Sequence, residues 1–243
     1  RQFAADLQRV TRATGTDTML PLFTRVLVEL TPDSLTLLAT DRYRLATTTM
    51  EATTTDTDTA RFTVPRWCTR VFTKKRSSEL TIAPGKHFHT LTAGNLTATI
   101  GEHTTAYPNL TYLLKVPERR VITLTDPAEL AASLTAGADM LAKRAPDTRI
   151  QLEIDNNHLD VVLTGPDITD TLLTTTAITT TEQVTDPEVI SLNPQWLATA
   201  ITDAHTGNPV QIITDGPRKP TLIHSGTYRS CIQPIYLPTH DNH

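Results

Sequence analysis

The stretch Ala39-Thr-Asp-Arg-Tyr-Arg-Leu-Ala46 sits where a strand should end, yet Asp41 to Arg44 place one acid, two arginines and one aromatic side by side. Apolar runs flank it, Leu35-Thr-Leu-Leu38 before and Leu45-Ala46 after. Taken alone it reads as a solvated turn with a local Asp41–arginine pair, which is worth little energetically. Working outward, Arg25–Leu30, Leu35–Leu38 and Leu45–Met50 read as strands, with Pro32-Asp33-Ser34 turning between the first two. Upstream, Phe3, Leu7 and Val10 mark one face of a short opening helix.

At 243 residues the chain can form one large domain or two ordinary ones, and can bury a core without disulfides or metal. Threonine is abundant, and a β-branched residue leans the chain towards strands. Cys68 and Cys231 are isolated, which fits a reducing, cytoplasmic compartment. No run reaches the roughly 18 apolar residues of a membrane span, and no signal peptide opens the chain at Arg1. The net charge of −4 is uneven: residues 1–117 hold 14 Lys+Arg against 10 Asp+Glu, and residues 118–243 hold 8 against 16. A first half of +4 and a second of −8 are either two ordinary solvated surfaces or one face turned to a polyanion and one not.

The halves repeat weakly. Phe62-Thr-Val-Pro65-Arg-Trp67 answers to Ser191-Leu-Asn-Pro194-Gln-Trp196, and Ala4-Ala-Asp-Leu7 to Pro127-Ala-Glu-Leu130. The expectation is an α+β chain of two similar domains, 1–117 and 118–243, joined near the polar segment 115–120. Each should pack two helices on antiparallel sheets. A helix is expected from Val64, with Pro65 at its first position and Val64, Trp67, Cys68, Val71 and Phe72 on its apolar stripe. Strand 80–83 and a hairpin through Ala93-Gly94-Asn95 follow. In the second half, Asp126 starts a helix carrying Leu130, Leu134 and Leu141, and Asn193-Pro194 starts another carrying Leu197, Ala200 and Ile201. Turns are expected at Asp155–His158, Asp215-Gly216-Pro217 and His224-Ser225-Gly226.

Catalytic signatures are missing. There is no G-x-S-x-G elbow, and Pro84-Gly85-Lys86 lacks the rest of a phosphate-binding loop. His87 and His89 would share a strand face but lack a third ligand of suitable spacing, and His240 and His243 lie in a terminal tail, so no metal or cofactor is expected. Asn95 and Asn109 match the glycosylation pattern by chance in a threonine-rich chain. An enzyme is therefore the weaker hypothesis.

The predicted helix from Val64 has a cationic face opposite its apolar stripe. Arg66, Arg70 and Lys74 form one ridge at i, i+4, i+8, with Lys75 and Arg76 beyond. Arg9 and Arg12 add two charges on the opening helix. Cations at a helix C-terminus complement its dipole, which accounts for residues 74–76 but not for Arg66 in the first turn. Phosphate contact accounts for all of them. Without a stacking platform or a recognition helix, such contact should be sequence-blind and salt-sensitive.

Asp17-Thr-Met-Leu-Pro-Leu-Phe23, two strands, and then residues 39–46 resemble the middle domain of the bacterial DNA polymerase III β sliding clamp family. Ala106-Tyr-Pro108-Asn-Leu110, Ser191-Leu-Asn-Pro-Gln-Trp-Leu197 and Tyr236-Leu-Pro238 resemble further family motifs, so the resemblance covers the middle and third domains. It implies a non-enzymatic processivity factor. In the family, six clamp-like domains ring duplex DNA and present Lys and Arg from inner helices to the backbone. Here those cations would be Arg9, Arg12, Arg66, Arg70, Lys74 and Lys143.

The resemblance also implies a groove that binds linear peptides of DNA polymerases and the clamp loader. Its residues would be Phe23, Thr40, Arg42, Tyr43, Arg44, Leu45, Pro108, Tyr112, Leu113, Leu237, Pro238 and Thr239. The family's first domain is missing, so a ring of six domains would need a homotrimer of two-domain chains. The closing Leu237-Pro-Thr-His-Asp-Asn-His243 departs from the family's M-P-V/M-R-L ending. The alternative is a clamp-derived interaction module that forms no ring. No membrane partner is expected.

Overall fold

The computed structural model describes residues 2–53, 59–73, 80–141, 149–155, 158–165, 168–175, 178–180 and 188–235. It divides into two compact units, Arg1–Leu110 and Thr111–His243. In the first, helix α1 (Gln2–Thr11) leads through a 3-10 turn (Pro21–Thr24) into strands β1 (Arg25–Leu30), β2 (Ser34–Thr40), β3 (Arg44–Glu51) and β4 (Ala60–Pro65). These lie side by side in the order β3-β2-β1-β4, all antiparallel. Helix α2 (Trp67–Thr73) follows, and then the meander β5 (Thr81–Ala83), β6 (Phe88–Ala93) and β7 (Leu96–Gly101).

The second unit opens with a 3-10 turn (Thr111–Leu114) and strand β8 (Arg120–Leu124), then helix α3 (Pro127–Leu141). Strands β9 (Arg149–Ile154), β10 (Leu159–Gly165), β11 (Ile168–Thr175), β12 (Ile178–Thr180) and β13 (Glu188–Ser191) come next. Helix α4 (Pro194–Ala204) then leads into β14 (Val210–Thr214), β15 (Thr221–Ser225) and β16 (Tyr228–Ile232). The order β11-β10-β9-β13 repeats the β3-β2-β1-β4 order of the first unit, and β14-β15-β16 repeats β5-β6-β7. The weak sequence repeat is thus a repeat of topology. It differs in β8 and β12, which extend the second meander through β8–β14 pairing.

Local chemistry accounts for these elements. In α1, Phe3, Leu7 and Val10 recur at helical spacing and are buried. Strand β9 alternates buried and half-exposed residues as a sheet with one solvated face should, whereas β10 buries Val161, Val162 and Leu163 in succession where its pairing with β11 shifts register. Asp126 accepts from the Glu129 N–H at 2.9 Å, and Asn193 from the Trp196 N–H at 3.2 Å, so both expected helix starts are capped. Gly94 (φ 62°) and Gly226 (φ 57°) turn the β6–β7 and β15–β16 hairpins in the left-handed region. Threonine pairs its hydroxyls across strands, Thr36 with Thr49 at 3.0 Å and Thr92 with Thr97 at 3.2 Å. That use explains why so polar a residue can dominate a sheet protein.

Two expectations are corrected. The helix does not begin at Val64: β4 runs to Pro65, where Val64 and Pro65 pair with Val26 and Arg25 of β1. Phe62 and Val64 are buried, with Thr63, in the strand, and among the described side chains of the helix Cys68 and Phe72, four apart, are the fully buried ones. Trp67 is consequently half exposed, at 50%. Nor do His87 and His89 share a face, since His87 precedes β6 and is exposed while His89 points into the core.

Polar groups also enter the interior. Arg120, buried at 2%, donates to the Ile154 carbonyl at 2.9 Å and lies 3.6 Å from Glu188, which accepts from the Thr214 hydroxyl. Cys68 and Cys231 are buried thiols, each pushed up to about 12 chiefly by desolvation, and so are poor nucleophiles at neutral pH.

His89 stacks on Phe62 with centroids 4.3 Å apart and rings 19° from parallel, and the Gly85 N–H points at its Nδ1. Burial lowers its pKa below 6.5, Arg25 lowers it further, and Glu102 partly opposes them. The fold therefore prefers the neutral ring. Its contribution is fully present above the unfolded value near 6.5 and is lost as pH falls below it. His89→Phe should flatten the acid limb of stability below about pH 6.5, read as urea midpoints across pH. Parallel limbs for the two proteins would remove His89 from the titration.

Candidate nucleic-acid face and peptide-binding wall

The charged residues of the opening stretch build the turn between β2 and β3. Asp41 accepts from the Tyr43 and Arg44 N–H groups at 3.0 Å each, and its other oxygen receives Arg44 Nε at 2.9 Å. Thr40 accepts from the Arg42 N–H at 3.0 Å and donates to the Arg44 carbonyl at 2.6 Å. This closure places Arg42 at φ 85°, a left-handed conformation that a non-glycine residue adopts only under local constraint. It also leaves Tyr43 exposed at 55%, with the Arg42 guanidinium 5.7 Å from its ring centroid.

Neighbouring segments complete the wall. Gly15 donates to the Phe23 carbonyl at 2.8 Å, and a Cβ on Gly15 would lie 3.6 Å from Asp41 Cβ. The loop after α1, Phe23 and the turn are therefore packed together. Tyr107 is buried beside them, and burial, reinforced by the Asp41 charge, raises its phenol well above the ordinary value. Phe23 and Pro108 are half-buried. Thr40 and Leu45 face the core, at 3% and 1% exposure. In the second unit Tyr112 is exposed and Leu113 half-buried in the opening 3-10 turn. Leu237, Pro238 and Thr239 lie outside the described residues.

The cationic residues occupy the α1–α2 pair. Phe3 meets Phe72 edge-on with centroids 6.3 Å apart, and the Thr11 and Thr69 hydroxyls are 2.7 Å apart. The start of α1 thus lies by the end of α2, and the reverse, so the helices are antiparallel. Arg12, just past α1, and Arg66, just before α2, belong to the same end of the pair and are both exposed. Arg9 is different: it is half-buried and hydrogen-bonded to Asp6, which is itself buried and also accepts from Gln2. Arg70 lies within α2, while Lys74 and Lys143 fall outside the described residues.

The expected Asp41–arginine pair forms with Arg44, but the capping of the turn by Asp41 and the packing of Gly15 and Tyr107 were not part of the sequence expectation. Asp41 was legible, because an aspartate two and three residues before the amides it caps is the signature of an Asx turn. Tyr107 and Gly15 meet the turn only through long-range packing.

Residues 1–105 match the family model of the DNA polymerase III beta subunit, central domain. The DNA polymerase III subunit beta of Pseudomonas aeruginosa superposes with a TM-score of 0.84 at 18% identity, over 97% of this chain and 64% of that one. The chain has the sliding-clamp fold. The beta subunit of Thermotoga maritima (TM-score 0.82, 17% identity, 97% and 64% covered) and the sliding clamp of Bacillus subtilis (0.82, 18%, 97% and 63%) carry the same fold. The chain therefore spans about 64% of the length of the P. aeruginosa clamp. No curated protein matches it. No helix among the described residues is long and apolar enough to cross a membrane.

Three bonds converge on Asp41, so Asp41→Ala should lower stability by about 1–2 kcal/mol and Asp41→Asn by less. Urea denaturation measures both. An unchanged midpoint in the alanine variant would mean that the turn is held by other contacts.

Proposed function

We propose that this is a two-domain sliding-clamp-like protein that contacts duplex DNA without sequence specificity and tethers replication or repair proteins through a peptide groove. The observation that carries the reading is the exposed end of the α1–α2 pair. Arg12 and Arg66 are both exposed at that end, and the two helices hold a single carboxylate, Asp6, which is buried against Arg9. A surface that keeps its cations outside and its acid inside suits a phosphate backbone. Arg70, four residues on from Arg66 in sequence, would extend it. The match of residues 1–105 to the beta-subunit central domain supports the same reading.

The groove proposal rests on the wall of the first unit. Tyr43 and Phe23 offer apolar anchors on a turn held by Asp41, as a preformed pocket for a linear peptide requires. Arg42, Arg44 and Pro108 would border it. The partners would be DNA polymerase and clamp-loader-type peptides, and the protein would act without catalysis or cofactor.

One observation favours a second reading, an interaction module that forms no ring. Helices α3 and α4 contain no Lys or Arg but do contain Glu129, Asp139 and Asp203. DNA would be gripped by one unit of each chain alone. In the ring form, three copies would supply six domains, and the opposite charges of the two halves would favour head-to-tail contact.

Light scattering in solution separates the readings: a ring gives about three times 26.8 kDa and is retained on circular but not linear duplex DNA. A monomer at micromolar concentration with no such retention rejects the ring. Joint reversal of Arg12, Arg66 and Arg70 to Glu should weaken duplex binding at least tenfold and flatten its salt dependence. Binding that ignores the reversal would move the DNA contact elsewhere. For the groove, Tyr43→Ala should weaken a fluorescent clamp-type peptide severalfold by anisotropy, and a wild-type chain that ignores such peptides would end the groove proposal.

A further inference from the structure

The turn between β5 and β6 closes over a buried imidazole. His89 stands on β6 with 5% of its surface in solvent, and its ring stacks on Phe62 of β4. Its Nδ1 accepts from the Gly85 N–H at 3.4 Å, so the neutral ring carries its hydrogen on Nε2. Nε2 is buried and has no hydrogen-bond partner among the described residues. The turn lies tight on β6, because a Cβ at Gly85 would come 2.4 Å from the Phe88 carbonyl oxygen. Its two ends are held unequally. On the β6 side, the His87 carbonyl accepts from the Glu102 N–H at 2.9 Å, just past β7. On the other side, β5 has three residues and pairs with β6 alone among the described strands.

A proton on Nδ1 breaks this closure. It sets a donor against the Gly85 donor, and it places a cation in a site where Nε2 already lacks a partner. Burial opposes that cation most, Arg25 of β1 opposes it further, and Glu102 favours it. Arg25 is fixed there by Thr63 and by the Gly101 carbonyl at 3.3 Å. It also acts on the Cys68 thiol of α2, which burial pushes up to about 12 and so keeps neutral. Lys86 and His87 of the turn are exposed.

We infer that the β5–β6 turn is a proton-gated latch: protonation of His89 releases β5 and residues 84–87 from β6 while strands β1 to β3 stay folded. The opening is local because β5 is a short edge, whereas β1, which carries Arg25, is paired on both sides. Once open, the ring reaches water and takes its proton at the ordinary value near 6.5. The latch is therefore shut above about pH 6.5 and loosens as pH falls below it. Overall unfolding would instead expose β5 and β1 together.

Hydrogen exchange of the whole chain, read by mass spectrometry at pH 7.5 and 5.5, tests this. After correction for intrinsic exchange, protection of residues 81–92 should fall about tenfold at the lower pH, and that of residues 25–51 should hold. In His89→Gln, which keeps an acceptor oxygen but does not titrate, the fall at 81–92 should vanish. Equal loss in both segments makes the opening global and overturns the inference. Protection at 81–92 that ignores pH overturns it as well. The wild-type chain alone decides both outcomes, so a variant that misfolds leaves the test intact. A fall that persists in folded His89→Gln assigns the proton to another group and also overturns the latch.

Discussion

In the first unit, the edge-on contact of Phe3 with Phe72 and the hydroxyl contact of Thr11 with Thr69 hold α1 and α2 antiparallel. The apolar faces of the pair are spent on the core, where Leu7, Val10 and Cys68 have no exposure at all. What remains for solvent is then decided by geometry. The end of α1 lies by the start of α2, so Arg12 and Arg66 belong to one end of the pair although 54 residues separate them in sequence. Asp6 contributes by absence: buried and paired with Arg9, it takes its charge out of that surface. An ion pair of this sort adds modest stability at best, but it fixes where the remaining positive charge can act.

The second constraint is a carboxylate. Asp41 collects two backbone N–H groups and one guanidinium, and this holds the strand-end turn with Arg42 in a left-handed conformation and Tyr43 in solvent. The charge that looked out of place at the end of a strand is therefore the turn's own scaffolding. It also fixes the exposed Tyr43 at the tip of the turn.

The two units share one strand order and diverge in what they place on it. The helices of the first are flanked by the exposed Arg12 and Arg66; α3 and α4 of the second carry acids and no Lys or Arg. The second unit spends its polar chemistry inside, where Arg120 is held by the Ile154 carbonyl and by Glu188. Topology is kept because strand pairing and core burial are blind to the outer residues, whereas surface charge can change without cost to either.

Much of this was written locally. The spacing of Phe3, Leu7 and Val10, the caps at Asp126 and Asn193, the glycine hairpins and the run 25–50 determined which elements form, because each depends on neighbours within a few residues. The Asx geometry of Asp41 belongs to the same class. Tertiary structure alone decided the rest. Val64 and Pro65 fit a helix as well as a strand on spacing, and pairing with β1, some 40 residues away, makes them strand. Helix α2 has only seven residues, too few turns for periodicity to fix which side is buried, so the exposure of Trp67 could not be read in advance. The burial of Arg120, in a segment that looks like polar linker, needed β9 and β13 to bring a carbonyl and a carboxylate to it. Sequence fixes what each segment prefers by itself; which side chains meet water is settled only when distant segments compete for the same core.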